Sequence, residues 1–264
     1  MGGILLVGCG RMGTALLSGW IGQGFDPKAI LVVEPSLTAL EGVPCVADVK
    51  DVPLGFKPNV VLLAVKPQVM DTVLPPYARL AEHALFLSIA AGRTLASFER
   101  ILGPGAAVVR SMPNTPAAVG RGITVACANR MASSMQKARA EELLSAVGSV
   151  AWVEDESLLD AVTAVSGSGP AYVFWLAETL AKAGEKAGLE PDLAARLARA
   201  TVYGAGELLY RQDAPAATLR QNVTSPGGTT AAALAVLMAE QGGLQSLMDE
   251  AVAAAAKRSR ELAS

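Results

Sequence analysis

The sequence predicts an α/β N-terminal domain, a doubly wound and mostly parallel sheet, followed by an all-α domain. Through roughly the first 150 residues, short apolar runs rich in Val, Ile and Leu alternate with amphipathic segments, the rhythm of βαβ units. The runs are continuous rather than alternating, as expected of strands covered on both faces. After about Val153 this text stops and Ala/Leu-rich helical text continues to the C-terminus. A chain of 264 residues suits one large or two modest domains. The boundary is placed between 1–153 and 154–264.

Strands are read at Ile4–Val7, Ile30–Val33, Val60–Val65, Leu85–Ala90, Ala107–Arg110 and Ile123–Ala128. Helical spacing of Tyr172, Trp175, Leu176, Leu180 and Ala183 starts a helix near Pro170, a residue suited to a first turn. Further helices are expected at about Pro191–Tyr210, Thr229–Glu240 and Leu244–Leu262. Their abundant small apolar surface suits packing against another subunit, so an oligomer is expected. The run Ala251–Ala256 taken alone reads as a helix driven by propensity.

Composition narrows the function classes. With 52% hydrophobic and 17% charged residues the chain should fold compactly. Lys and Arg number 22 against 24 Asp and Glu, and there is no basic block to neutralise a run of phosphates, which argues against nucleic acid as a partner. The longest apolar run, Ala231–Ala239, is about half of the ~20 residues a membrane-spanning helix needs. Met1-Gly2-Gly3 leads directly into a strand, leaving no room for a signal peptide, and a cytoplasmic location is expected. Cys9, Cys45 and Cys127 are widely spaced and read as reduced thiols. His83 is the single histidine, flanked by apolar residues before a strand; it reads as structural, and no metal-ligand cluster can be assembled.

Gly8-Cys9-Gly10-Arg11-Met12-Gly13 is a GxGxxG between a predicted strand and a predicted helix, the Rossmann dinucleotide signature in its proper context. Gly8 permits the tight turn, Gly10 lets the backbone approach a pyrophosphate at the helix N-terminus, and Gly13 lets helix and strand pack closely. A lone GxGxxG is weak evidence in a chain with 26 glycines; its placement after Ile4-Leu5-Leu6-Val7 makes chance a poor account. Glu34 closes the second strand about 20 residues on, where an acid accepts hydrogen bonds from ribose hydroxyls. A carboxylate there repels a 2′-phosphate and favours NADH over NADPH, unless Ser36 or a neighbouring cation compensates. Ala64-Val65-Lys66-Pro67, Ala90-Ala91-Gly92 and Met112-Pro113-Asn114 end the next strands at the carboxyl edge, where α/β sheets bind ligands. Singly each loop could be ordinary turn chemistry; in register they read as one cofactor-lined cleft.

Taken together with Ser88–Gly92, Arg110–Pro116, Ser166-Gly167-Ser168-Gly169-Pro170-Ala171-Tyr172 and, most specifically, Val223-Thr224-Ser225-Pro226-Gly227-Gly228-Thr229-Thr230, these stretches resemble pyrroline-5-carboxylate reductases over nearly the whole chain. The resemblance implies hydride transfer from NADPH or NADH to the C=N carbon of 1-pyrroline-5-carboxylate, giving L-proline. It also implies a helical domain that forms a homodimer, with dimers often assembled further. Thr230 becomes the candidate catalytic residue, hydrogen-bonding the ring nitrogen. Ser225, Gly227, Gly228, Thr229 and Glu156 become candidate substrate ligands. Glu34 departs from the small polar residues frequent at that position in the family, which bears on the phosphate preference.

The residues themselves are compatible with imine chemistry. A cyclic imine is protonated near neutral pH more readily than a ketone, so a strong protein acid is not required, whereas C=O reduction usually recruits His, Lys or Tyr. The Pro-Gly-Gly turn at 226–228 opens an Ala/Leu helix whose free N–H groups suit a carboxylate; a plainly capped helix start with Ser225 as the cap explains the same residues. Glu156 also suits a solvated acid at a helix start. Alternative readings are a β-hydroxyacid dehydrogenase or another imine reductase, and a non-catalytic dinucleotide-sensing dimer. The first places a catalytic Lys where this chain has Val173, which cannot donate a proton.

Overall fold

A computed structural model of the protein describes residues 2–36 and 42–263. The chain divides into two compact units, Met1–Gly167 with Ala255–Ser264, and Ser168–Ala254.

The first unit is built on an eight-stranded sheet: β1 (Gly3–Val7), β2 (Ile30–Val33), β3 (Cys45–Val46), β4 (Pro58–Leu63), β5 (Leu85–Ser88), β6 (Val108–Met112), β7 (Gly122–Ala128) and β8 (Gly148–Trp152). Their order is β3-β2-β1-β4-β5-β6-β7-β8. β1 to β6 pair parallel, β7 runs antiparallel to β6, and β8 is parallel to β7. The mostly parallel sheet is as expected, with the direction reversal at β7 added. Two strands were not anticipated: β3 has only two residues, and β8 lies at the sheet edge, where its residues are half-buried or exposed and the apolar signal is weak.

Both sheet faces are buried, which explains the unbroken apolar runs. Along β1, Ile4 and Leu6 enter one core with α1 (Arg11–Gly22) and α4 (Ser134–Leu144), while Leu5 and Val7 enter the other with α2 (Met70–Val73), α3 (Leu95–Leu102) and α5 (Leu158–Val162). On the first face Trp20 of α1, fully buried, donates its indole N–H to the Leu143 carbonyl of α4 at 2.8 Å. At the β6–β7 end, buried Asn129 accepts from Val108 N (3.0 Å) and donates to Ala106 O (2.8 Å) and Glu99 Oε1 (2.9 Å).

The second unit contains α6 (Gly169–Lys186), α7 (Pro191–Arg211), α8 (Ala216–Asn222), α9 (Thr229–Leu237) and the start of α10 (Leu244–Ala263). α8 was not expected. α9 stops at Leu237, three residues before Glu240, and the chain then turns through Gly242 (φ 70°) and Gly243, where a Cβ would meet Ala239 O at 2.1 Å. Among the described residues of this unit, the buried apolar side chains are Ala194 and Ala198, while Phe174 (64% exposed), Trp175 (57%) and Val236 (72%) face outward. No helix among the described residues is long and apolar enough to cross a membrane.

Candidate functional site

The strand order reverses between β1 and β4, and the loop leaving β1 opens at that switch point, where doubly wound sheets bind ligands. The three glycines of this loop have different duties. Gly8 adopts φ 86°, and a Cβ there would lie 2.8 Å from Val65 Cγ1 and 2.9 Å from the Ala64 carbonyl. Gly13 faces the Gly8 carbonyl, 2.8 Å from where its Cβ would be, and Ala64. Gly10 faces open space, with nothing within 4 Å of a Cβ. It is also the N-cap of α1 and provides no side-chain cap for the first-turn N–H groups. A backbone cradle that a side chain would fill, at an uncapped helix N-terminus, fits a dinucleotide pyrophosphate.

Glu34 follows β2 and reaches the same loop. Its Oε2 accepts from Cys9 N at 2.9 Å, and its Oε1 accepts from Ser36 N (3.2 Å) and Ser36 Oγ (2.7 Å). Burial pushes the carboxyl pKa up, but these bonds outweigh it and hold the group below its ordinary value, so it is a carboxylate at neutral pH. Beside it the Cys9 thiol is pushed up, chiefly by burial and further by Glu34, and stays protonated.

A cleft of about 590 Å³ runs from this loop, lined by Gly8, Gly10, Glu34, Val65 and Lys66 among others. Thus the glycine loop, Glu34 and the loop of Ala64, Val65 and Lys66 come together. Asp48, Lys50 and Tyr77 also line the cleft. Sequence reading missed them because they come from irregular segments; the one available signal was Asp48 as a turn cap, accepting from Lys50 N at 2.9 Å. Burial, with Asp48 adding to it, raises the Tyr77 phenol far above its ordinary value.

The remaining expected cofactor residues are distributed around this centre. Met12 packs against the core, and Arg11 lines a neighbouring groove with Thr14 and Gly120. Ala91 and Gly92 (φ 71°) follow β5, and Met112, Pro113 and Asn114 end β6, all at the carboxyl edge shared with Gly8. The Asn114 side chain accepts from Ile123 N (3.0 Å) and donates to Ser166 O (3.2 Å), so both ends of its amide hold backbone. Met112 Cε lies against Gly167, 2.6 Å from where a Cβ would be.

Glu156 belongs to the wall of the dinucleotide unit. Its Oε1 accepts from buried Arg110 (2.7 Å) and from Leu95 N (2.8 Å) at the start of α3.

In the second unit, Ser225–Thr230 makes the turn that opens α9. Gly228 N donates to Ser225 O at 3.0 Å, Gly227 takes φ 68°, and Gly228, not Ser225, is the N-cap. Since Gly228 has no side chain, no side-chain cap occupies the first-turn N–H groups of α9. Thr229 and Thr230 are its first two residues.

The family model described as pyrroline-5-carboxylate reductase dimerisation matches residues 156–262, and that described as NADP oxidoreductase, coenzyme F420-dependent, matches residues 3–92. The chain is 43% identical to a Synechocystis pyrroline-5-carboxylate reductase over 97% of each chain. It is 41% identical to the Pseudomonas aeruginosa enzyme of the same name, over 98% of this chain and 96% of that one. A solved pyrroline-5-carboxylate reductase from Coxiella burnetii superposes with a TM-score of 0.92 at 38% identity, covering 100% of this chain and 99% of that one. The Plasmodium falciparum enzyme, solved with NADP bound, gives 0.83 at 29% identity over 99% and 98%. Since this relatedness, at about 40% identity, extends over nearly the full length of both chains, the chain belongs to the pyrroline-5-carboxylate reductase family.

Proposed function

We propose that this chain reduces 1-pyrroline-5-carboxylate to L-proline with NAD(P)H, the final step of proline biosynthesis. The observation that carries the reading is full-length relatedness to enzymes named for this activity, in a chain whose Gly10 cradle fits a dinucleotide. A bound reduced nicotinamide supplies hydride to the imine carbon. Gly8, Gly10, Gly13, Ala64–Pro67, Ala91, Gly92 and Met112–Asn114 form the edge that holds the cofactor, with Arg11 and Met12 opening α1 beneath the pyrophosphate.

The finer assignments rest on local chemistry. The uncapped first turn of α9, with Ser225, Gly227, Gly228 and Thr229, binds the substrate carboxylate. The Thr230 hydroxyl hydrogen-bonds the ring nitrogen, orienting an imine that arrives protonated. The ionised Glu34 beside the glycine loop disfavours a 2′-phosphate, so NADH is the preferred reductant. The protein is a homo-oligomer, and the outward apolar faces of α6, α7 and α9 form the dimer interface.

Steady-state kinetics with NADH and NADPH side by side on this imine test the reading. NADH oxidation should depend on the imine, with kcat/KM at least about tenfold higher for NADH than for NADPH. Thr230→Ala should lower kcat by roughly one to three powers of ten, the scale for one positioned polar group. Imine-independent oxidation, or wild-type turnover in that variant, refutes the corresponding step.

A further inference from the structure

The last turns of α10 lie in the dinucleotide unit rather than with the rest of their helix, and two contacts anchor them there. Ser259, 7% exposed, donates its hydroxyl to Asp160 Oδ1 of α5 at 2.6 Å. One turn later the Leu262 carbonyl oxygen lies 3.2 Å from where a Cβ on Gly92 would stand, and Gly92 is held at φ 71°. The loop from Gly92 to Leu95 is pinned elsewhere as well. Leu95 N donates to Glu156 (2.8 Å), just before α5, and Arg93 forms a two-pronged ion pair with Asp71 of α2. These contacts make a closed circuit: Gly92 loop, Glu156, α5, Asp160, Ser259, Leu262 and back to Gly92.

We propose that Ser259 is a positioning residue for the cofactor: through Asp160 and Leu262 the end of α10 holds the Ala91–Gly92 loop in the shape that receives the dinucleotide. Gly92 lacks a side chain that could wedge itself in place, and its positive φ is accessible to glycine along with many other conformations. Its shape must therefore be imposed by what lies against it, and the Leu262 carbonyl does so. The hydroxyl of Ser259 sets the height of that carbonyl by fixing α10 to α5. Glu156 acts in the same circuit, bracing the other end of the loop together with Arg110. The inference rests on Ala91 and Gly92 contacting the cofactor, as proposed above.

NADH titrations followed by fluorescence on the full-length protein, well below its melting temperature, test it. Ser259→Ala and Asp160→Ala should each weaken NADH binding about five- to tenfold, the lower range of coupling between linked sites. The double variant should be no weaker than either alone, because both remove one bond. Ser259→Thr, which keeps the hydroxyl, should bind within about twofold of wild type. In Ser259→Ala, KM for NADH should rise while kcat at saturating NADH is retained, and amide exchange over 90–95 should quicken. Wild-type affinity in Ser259→Ala, or additive losses in the double variant, overturns the proposal while the cofactor reading stands. A wild-type protein that binds neither NADH nor NADPH overturns both.

Discussion

The glycines at 8 and 10 belong to one motif, yet their substitution by alanine should give opposite phenotypes. At Gly8 a methyl group must adopt φ 86° and lie 2.8–2.9 Å from Val65 Cγ1 and the Ala64 backbone. Strain of about 1–3 kcal/mol and overpacking of similar size together cost about 2–6 kcal/mol. For a chain of this length, at about 2–4 °C per kcal/mol, that corresponds to roughly 4–24 °C in melting temperature. At Gly10 the backbone φ is −69° and a methyl meets nothing within 4 Å, so the melting temperature of the free protein should move by no more than about 2 °C. The same methyl occupies the cradle and separates the pyrophosphate from the α1 N–H groups. Loss of one or two hydrogen bonds to a charged ligand, about 3 kcal/mol, is roughly a hundredfold in Kd. Thermal denaturation without ligand and NADH titration separate the effects. A Gly10→Ala protein that binds NADH within about threefold of wild type refutes the cradle; a Gly8→Ala protein that melts with wild type refutes the packing argument.

Two further perturbations probe charge and scaffold. Glu34→Ser should raise the NADPH/NADH ratio of kcat/KM by about tenfold or more, by removing the carboxylate proposed above to disfavour a 2′-phosphate; an unchanged ratio places the preference elsewhere. The same carboxyl is held below its ordinary value near 4.5, so its stabilisation is full above that pH and lost as pH falls through the folded-state value. Glu34→Gln should flatten that part of the acid limb of a melting-temperature profile, and an unaltered limb contradicts the assignment. Asn129→Ala removes three hydrogen bonds at a buried site and should cost about 2–4 kcal/mol by chemical denaturation; a loss under about 0.5 kcal/mol, the range of ordinary surface changes, refutes its role as a brace.

The parallel strands were legible because burial on both faces writes an unbroken apolar run, as in Ile4–Val7, into the sequence. The direction of β7 was not, because an apolar run carries no arrow. Its reversal is made in the connection, where Gly120 at φ 66° ends the turn Thr115–Val119. That Gly8, Gly10, Gly13 and Glu34 meet at one loop was legible, since the motif fixes their spacing after the first and second strands. Asn114 and Glu156 were singled out, but their contacts were hidden: Ser166 is 52 residues from Asn114, and Arg110 is 46 from Glu156. Nothing local in the sequence encodes such pairings. Ser225 looked like a helix cap by residue type, yet the chain folds over it and gives the cap to Gly228, leaving the first-turn N–H groups of α9 without a side-chain cap.

A unit whose buried apolar side chains, among the described residues, are two alanines has little cohesion of its own. In the proposed dimer, with the outward apolar faces of α6, α7 and α9 as its interface, the folding free energy of this unit would be tied by mass action to how often two chains meet. Dilution would then erode this half first, while the sheet-bearing half keeps its two packed faces. On that proposal the amount of chain made in a cell would help to determine how long each copy survives, and a second chain with a similar helical surface would compete for the same mate.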